Sequence, residues 1–180
     1  PIPPKGWGGI EHLVWDMRLA LTKLNHDVKI VNTTNPKEII YEINNYRPDF
    51  VHVQYDDWVL LCPYIQYPCA ISTHFAYIEQ VEKMGDYKQR VFDHYPRVKP
   101  NIFALSDGII KTYSGEGIPD KNLFLTPNGL DIDAYTFTDK PKYSDRSICI
   151  GKIEDRKKQY FLQSIDSLWF AGNIAAVSYT

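Results

Sequence analysis

Apolar residues recur every three or four positions after the Pro/Gly-rich opening of the chain. Such spacing places them on one face of a helix, which we predict over about residues 10–24. The apolar face consists of Ile10, Leu13, Val14, Met17, Leu21 and Leu24. A second helix is predicted from Pro36, because Asn35 is a favoured N-cap residue and proline is favoured at the first helical position.

Short apolar runs, most of them separated by helical patterns, follow along the chain. The predicted strands are residues 27–31, 50–53, 69–73, 101–105, 123–126, 147–151 and 168–171. The further predicted helices are residues 87–95, 107–113 and 157–165. Strands alternating with helices predict an α/β fold: a Rossmann-like parallel sheet with right-handed crossovers and helices on both faces.

The pattern also predicts two domains. Residues 132–146 are polar, contain proline and lack regular spacing, as is typical of a linker. We therefore expect one domain over residues 1–131 and the first βαβ unit of another over residues 147–180.

Composition narrows the classes of function. The 180 residues carry 20 Lys+Arg and 22 Asp+Glu, a net charge of −2, which argues against a nucleic-acid partner. No apolar run reaches the roughly 18 residues that a membrane span requires, and the N-terminus lacks a secretory pattern. The odd number of cysteines argues against a disulfide framework, and their spacing is not that of a metal site; they are Cys62, Cys69 and Cys149. The expectation is a cytoplasmic globular protein.

Ligands of parallel sheets bind beyond the carboxyl ends of the strands, so the loops there are the first candidates. The loop Pro4–Glu11 leads into the first helix, and Gly8 and Gly9 would let its backbone approach a phosphate or sugar. A plain Gly/Pro turn is the alternative. Glu11 stands where a dinucleotide motif has its third glycine, which disfavours NAD or FAD. Its carboxylate would instead cap the helix or accept sugar hydroxyls.

Histidines and carboxylates form the next group of candidates. His74 follows the strand 69–73, where an imidazole can donate to a hydroxyl or relay a proton, although a lone histidine is usually structural. His52 lies inside a strand, which favours a buried structural role. Asp56 and Asp57 would bind a metal or an acceptor, but solvated loop charges are the preferred interpretation.

Two later loops complete the set. Asn128 and Asp131 follow a strand, where Asn128-Gly129 also fits a simple tight turn. Four basic residues after the strand 147–151 would clamp a diphosphate at a helix start; the alternative is an exposed charged helix. These residues are Lys152, Arg156, Lys157 and Lys158.

Taken in order, these motifs resemble the retaining glycosyltransferases of family 4, which have the GT-B fold. The matching segments are Gly8-Gly9-Ile10-Glu11, Thr73-His74, Pro127-Asn128-Gly129-Leu130-Asp131, and Gly151-Lys152-Ile153 with Lys157. Lys152 departs from the family by replacing an arginine, and Lys158 stands where a glycine is usual. No Glu-rich donor-binding motif follows Ala171, and no strand precedes the Gly-rich loop. We therefore expect an incomplete fragment with little activity alone.

The resemblance implies transfer of a hexose from a nucleotide-diphosphate sugar to a hydroxyl, with retention at the anomeric carbon. It implies His74 as the catalytic residue at the donor sugar, and no cofactor or metal besides the nucleotide sugar. The implied donor or diphosphate contacts are Gly8, Gly9, Lys152, Arg156 and Lys157, with Arg156 as a substitute for the missing arginine. The implied acceptor or interdomain residues are Glu11, Asn128 and Asp131.

Several alternatives stay open at this level. The acceptor is a glycan, a lipid-linked or a small-molecule alcohol, and peripheral membrane association is left open. A free sheet edge, where the first strand is missing, would allow a homodimer. A non-catalytic carbohydrate- or partner-binding module is the alternative function, and a nicotinamide oxidoreductase is disfavoured by Glu11.

Overall fold

The computed structural model of the chain describes residues 2–5, 8–74, 78, 85–134, 136–154 and 157–172. Its α-helices are α1 (Gly9–Lys23), α2 (Pro36–Tyr46), α3 (Tyr87–Arg90), α4 (Tyr95–Val98) and α5 (Asp107–Gly115). Its strands are β1 (Val51–Val53), β2 (Cys69–Ser72), β3 (Asn101–Ala104), β4 (Leu123–Leu125), β5 (Ser147–Ile150) and β6 (Leu168–Ala171). The longer 3₁₀ segments are Asp56–Tyr64 and Gln159–Leu162, and shorter ones cover Phe92–His94, Asp120–Asn122 and Ile132–Ala134.

The first four strands form one parallel sheet in the order β1-β2-β3-β4. Val51 lies opposite Cys69, Ala70 opposite Asn101, and Ile102 opposite Leu123. The predicted α/β class and its parallel sheet are therefore confirmed. Because all four strands run the same way, the segments that follow them leave from the same edge.

The core of the molecule lies against β2 and β3. Its buried side chains come from these strands, from the 3₁₀ segment Asp56–Tyr64, and from the helices before and after β3. They include Val59, Cys62, Ile71, Phe92, Tyr95, Ile102, Ile109, Tyr113 and Ile118. The rings of Tyr95 and Tyr113 pack with their centroids 4.8 Å apart.

Local sequence explains where α1, α2 and α5 begin. The Asn35 side chain accepts a hydrogen bond from the Lys37 amide at 3.0 Å, so the predicted N-cap of α2 is confirmed. Ser106 caps α5 in the same way through the Ile109 amide. The start of α1 has no side-chain cap, since Gly8 stands at that position.

Three predicted elements are wrong. Residues 27–31 form no strand; Val28 and Ile30 instead line an open surface depression together with Trp15 and Tyr46. A strand needs a neighbouring backbone to pair with, and hydrophobic pattern alone does not supply one.

The predicted helix 87–95 is broken into α3, a 3₁₀ turn and α4. Val91 leaves helical geometry at φ −128°, and Pro96 has no amide to continue an α-helical ladder. The predicted helix 157–165 is reduced to the 3₁₀ segment Gln159–Leu162. Lys158 adopts φ +55°, in the left-handed region, which stops an α-helix from passing through it.

The chain divides into two units, Pro1–Ile132 and Asp133–Thr180. The second contains a parallel pair, β5 and β6, in which Cys149 lies opposite Phe170. Many of its large apolar side chains are exposed, among them Ile148, Ile150, Phe161 and Trp169. In the described part of the chain, no helix is both long and apolar enough to cross a membrane.

Candidate functional site

A pair of polar side chains lies at the carboxyl ends of β1 and β2. Gln54 directly follows β1, and His74 lies two residues beyond β2. These strands are parallel neighbours, so their ends are adjacent, and His74 Nε2 is 2.8 Å from Gln54 Oε1. Gln54 also lies against α1, with its amide nitrogen 4.0 Å from the Met17 sulfur. This places His74 at the edge where ligands of parallel sheets bind.

The hydrogen bond fixes which nitrogen of His74 carries the proton. Burial lowers the pKa of His74, so its imidazole is neutral at pH 7. Gln54 Oε1 can only accept, and therefore Nε2 donates and Nδ1 keeps its lone pair. Nδ1 is buried and has no hydrogen-bond partner among the described residues. It is an acceptor suited to a hydroxyl donor and not to a phosphate oxygen.

His52 has a different role. Its Nε2 lies 2.7 Å from the Ser72 hydroxyl, and its ring meets the Phe103 ring edge-on at 4.9 Å between centroids. Burial, together with the nearby His74, lowers the pKa of His52 to about 4. A neutral, packed imidazole inside a strand is the structural arrangement that the sequence favours for this position.

Asp56 is buried, contrary to the interpretation that it is a solvated loop charge. Only 2% of its surface is exposed, and its Oδ2 accepts hydrogen bonds from the hydroxyls of Thr73 at 2.9 Å and Tyr87 at 2.6 Å. Burial raises the pKa of Asp56 to about 6, although both hydrogen bonds act in the opposite direction. Burial and the Asp56 charge also raise the pKa of Tyr87. Asp56 thus anchors a polar cluster inside the core.

Asp57, its neighbour, does behave as a surface charge. Its carboxylate forms an ion pair with Arg90 of α3. Within the described ranges, no group of three or more His, Cys, Asp or Glu side chains has the arrangement to hold a metal ion.

The Gly-rich loop presents Gly8 at the N-cap of α1. The Glu11 carboxylate folds back over Gly8, so a side chain at position 8 would meet it, whereas the space beside Gly9 is open. Glu11 occupies the third helical position, from which a carboxylate reaches back to the start of its own helix. No side-chain hydrogen bond caps the helix, but the Glu11 carboxylate stands where an anion would otherwise approach the helix amides. Gly6 and Trp7 lie outside the described residues.

Asn128 and Asp131 lie in the loop after β4, and both are exposed. The Thr126 amide still bonds to the Ala104 carbonyl at 2.7 Å, so the loop leaves from the same sheet edge as His74. Neighbouring strands are about 4.8 Å apart, which puts the ends of β2 and β4 roughly 10 Å from each other. Asn128 therefore shares an edge with His74 across one intervening strand.

The second unit brings two of the predicted cationic residues to one loop. The Lys157 ammonium lies over Gly151, where an added Cβ would be 2.9 Å from Nζ. Lys152 is directed toward Glu154, with 3.8 Å between Nζ and Oε2. No α-helix follows, so the expected row of helix amides is absent from the described part of this loop. Arg156 lies outside the described residues.

Gln159 organises this loop, and sequence reasoning missed it. Its side chain is buried: Oε1 accepts from the Glu154 amide and Nε2 donates to the Lys152 carbonyl, each at 3.1 Å. Gln54 was also missed. For Asp56 a signal existed, because Asp56, Val59 and Cys62 recur every third residue, the spacing that aligns side chains on a 3₁₀ helix.

Compared with known proteins, the chain matches no family model, no curated protein and no solved structure. Any functional assignment therefore depends on the site itself.

Proposed function

We propose that this chain is the acceptor-side domain of a retaining GT-B glycosyltransferase, joined to the beginning of the donor-side domain. The observation that carries the proposal is the unpartnered Nδ1 of His74 at the carboxyl edge of the sheet. Sugars present several hydroxyl donors, and a neutral imidazole held by Gln54 offers one fixed acceptor to them. The four segments that match motifs of the family, in the family's order, support the same function.

In this proposal His74 positions the donor hexose. Its Nδ1 is shielded in the structure, so the atoms that cover it move aside when one sugar hydroxyl donates a hydrogen bond to it, while Gln54 holds the ring through Nε2. The bond from the anomeric carbon to the diphosphate breaks as the acceptor hydroxyl attacks from the same face. The departing phosphate oxygen takes the proton of that hydroxyl, so no protein carboxylate has to act as nucleophile.

The resemblance gives a diphosphate-binding role to the loop of the second unit. Lys157 over Gly151 and Lys152 near Glu154 supply positive charge there, which stabilises charge that develops on the leaving group. Arg156 is part of the same proposal by its place in the sequence. In this proposal these side chains neutralise the charge of the leaving diphosphate.

The test follows the His74 nitrogens directly. The ¹⁵N-labelled chain is titrated with UDP- and GDP-hexoses and with free hexoses while the histidine side-chain resonances are recorded. We expect the Nδ1 resonance of His74 to shift saturably as it accepts a hydrogen bond. His74→Ala should weaken sugar binding about tenfold, the effect of one lost hydrogen bond, whereas His26→Ala at an exposed turn should have no effect.

An assay of sugar transfer distinguishes the two candidate functions, the glycosyltransferase and the carbohydrate-binding module. With a radiolabelled donor and a panel of alcohol acceptors, we expect slow transfer with retained anomeric configuration, lost in His74→Ala and Lys157→Ala. Saturable sugar binding without transfer would favour the carbohydrate-binding module. An unchanged His74 resonance at saturating sugar would contradict both.

A further inference from the structure

The loop after β4 contains the one Asn-Gly pair of the sequence, Asn128-Gly129. Residues 126–131 form no helix, strand or turn, and Asn128 and Gly129 are both exposed. The loop is held where it leaves the sheet, because the Thr126 amide donates to the Ala104 carbonyl at 2.7 Å. Solvent therefore reaches the Asn128 side chain and the peptide bond that follows it.

Hydrogen bonds to the rest of the protein do not restrain this pair. Among the described residues, neither the Asn128 side chain nor the Gly129 amide has a hydrogen-bond partner. Asn122, at the other end of β4, provides the contrast: its side-chain amide donates to the Lys99 carbonyl at 2.8 Å. Asn128 and the following amide are thus free to change their relative orientation, whereas the Asn122 side chain is held.

Gly129 also leaves the space around its nitrogen open. A Cβ added at this position would meet no atom within 4 Å, and the φ of Gly129 lies outside the left-handed region. Without a side chain, glycine is the residue that least obstructs the approach of its own nitrogen to the preceding side chain. Asn122 is followed by the strand residue Leu123, whose side chain crowds that approach. Exposure, freedom from hydrogen bonds and open space therefore coincide at Asn128.

We propose that Asn128 is a site of spontaneous deamidation, a reaction to which asparagine is chemically prone. The Gly129 nitrogen loses its proton to hydroxide and attacks the side-chain carbonyl carbon Cγ of Asn128. The bond from Cγ to the side-chain nitrogen breaks, and that nitrogen takes a proton from water and leaves as ammonia, which restores the hydroxide. The product is a five-membered succinimide.

Water then opens the succinimide at one of its two carbonyl carbons, and the ring nitrogen regains its proton as a peptide N–H. Opening at the Cγ carbonyl gives aspartate, whereas opening at the backbone carbonyl gives isoaspartate, in which the main chain runs through Cβ and Cγ. Overall, one water is consumed and one ammonia is released, with no oxidation or reduction.

The reaction changes the edge of the sheet at which the candidate site lies. A neutral amide becomes a carboxylate, and isoaspartate also lengthens the backbone of the loop. Since β2 and β4 are parallel strands of one sheet, position 128 shares its carboxyl edge with His74. The deamidation itself does not depend on the proposed sugar chemistry.

The experiment keeps the full chain folded at pH 8 and 37 °C for several days. Trypsin then releases Asn122 and Asn128 in one peptide, residues 122–142, because the bond before Pro141 resists cleavage. Fragmentation of this peptide should show an acid at position 128 and an intact amide at position 122. A methyltransferase specific for isoaspartate should label the product. The rate in the folded chain should lie within a few-fold of that in a synthetic peptide of residues 122–142.

Two alanine variants test the role of Gly129. Gly129→Ala should slow deamidation several-fold, because the added methyl group obstructs the attacking nitrogen, while the open space around it leaves the folded loop unstrained. Gly115→Ala, at an exposed helix position with equally open space, is the matched control and should leave the rate unchanged. An Asn128 that stays intact in the folded chain after the synthetic peptide has reacted, or equal deamidation of Asn122, would overturn the proposal.

Discussion

Burial changes the chemistry of individual side chains in this protein. Asp56 and Asp57 are adjacent in sequence, yet one is enclosed with the Thr73 and Tyr87 hydroxyls and the other pairs with Arg90 at the surface. His52 and His74 likewise differ: His52 is satisfied by Ser72, whereas His74 has one nitrogen without a partner in the described part of the chain. The functional candidates are the residues whose polar atoms are held but not fully satisfied.

Asp56 should make the protein less stable as the pH rises. Its pKa is raised from 3.8 to about 6 in the folded chain, so the folded state binds a proton more tightly than the unfolded state. The stabilisation is complete below about pH 4 and is lost as the pH rises through 6, amounting to about 3 kcal/mol for a two-unit shift. The lowered pKa of His52 acts in the opposite sense over the same pH range, so the loss is measured as the difference between the parent and Asp56→Asn in urea unfolding from pH 3.5 to 7.5.

The stability of Asp56→Asn relative to the parent should rise as the pH increases from 4 to 6, because an amide does not titrate and only the Asp56 contribution is removed. Asp57→Asn is the matched control, and its profile should keep the slope of the parent protein. Parallel profiles for the parent and Asp56→Asn would show that another group is responsible.

Gly8→Ala should displace the Glu11 carboxylate from the start of α1, since the new methyl group would occupy its place. Gly9→Ala has open space beside it and serves as the control. We expect only Gly8→Ala to shift the Glu11 side-chain carboxyl resonance and to increase exchange of the first α1 amides. Equal effects of the two substitutions would mean that the Glu11 carboxylate does not lie over Gly8.

Short 3₁₀ segments, rather than α-helices, carry several of the site's supporting residues. The segment Asp56–Tyr64 presents one face every third residue and thereby buries Asp56, Val59 and Cys62 together. In the second unit, the segment Gln159–Leu162 begins after the left-handed Lys158 and points Gln159 back into the preceding loop. In these short segments, hydrogen bonds from single side chains take the place of the backbone hydrogen bonds that a longer helix would form.

Gln159→Ala should loosen the loop that bears Lys152 and Glu154. It removes two partly buried hydrogen bonds to the backbone of Glu154 and Lys152, at a cost of about 1–3 kcal/mol for the pair. Hydrogen exchange at the Glu154 amide should accelerate. Gln163→Ala, at an exposed position just beyond the segment, should leave that amide unchanged; similar acceleration in both variants would assign the loop's order to other contacts.

The two units of the molecule differ in how much apolar surface they bury. The buried hydrophobic cluster extends from Val59 to Ile118, all within the first unit. In the second unit Ile148, Ile150 and Trp169 are exposed although they lie in strands. Since burial of apolar surface is the main source of stability, the first unit should be the more stable.

Hydrogen exchange of the whole chain should reveal this difference. Amides of β2 and β3, such as Ile71 and Ile102, should exchange on the order of a hundredfold more slowly than those of β5 and β6. Exchange measured by NMR at one pH and temperature provides the comparison. Equal protection of the two sheets would contradict the assignment of the core to the first unit.

The sequence by itself determined the alternation of strands and helices, the parallel class of the sheet and the position of His74 after a strand. These features are local, because hydrophobic period, N-cap residues such as Asn35 and turn residues act within a few positions. The same local reasoning failed at residues 27–31, where the apolar pattern has no neighbouring backbone to pair with. It also failed at residues 157–165, where Lys158 adopts a left-handed conformation.

Only the tertiary structure decided which polar groups meet. Gln54 and His74 are 20 residues apart, Asp56 and Tyr87 are 31 apart, and each pair is joined by the order of neighbouring strands and the packing of the core. Desolvation, which moves the pKa values of Asp56 and His52, depends on all the surrounding atoms, and a linear pattern does not contain them.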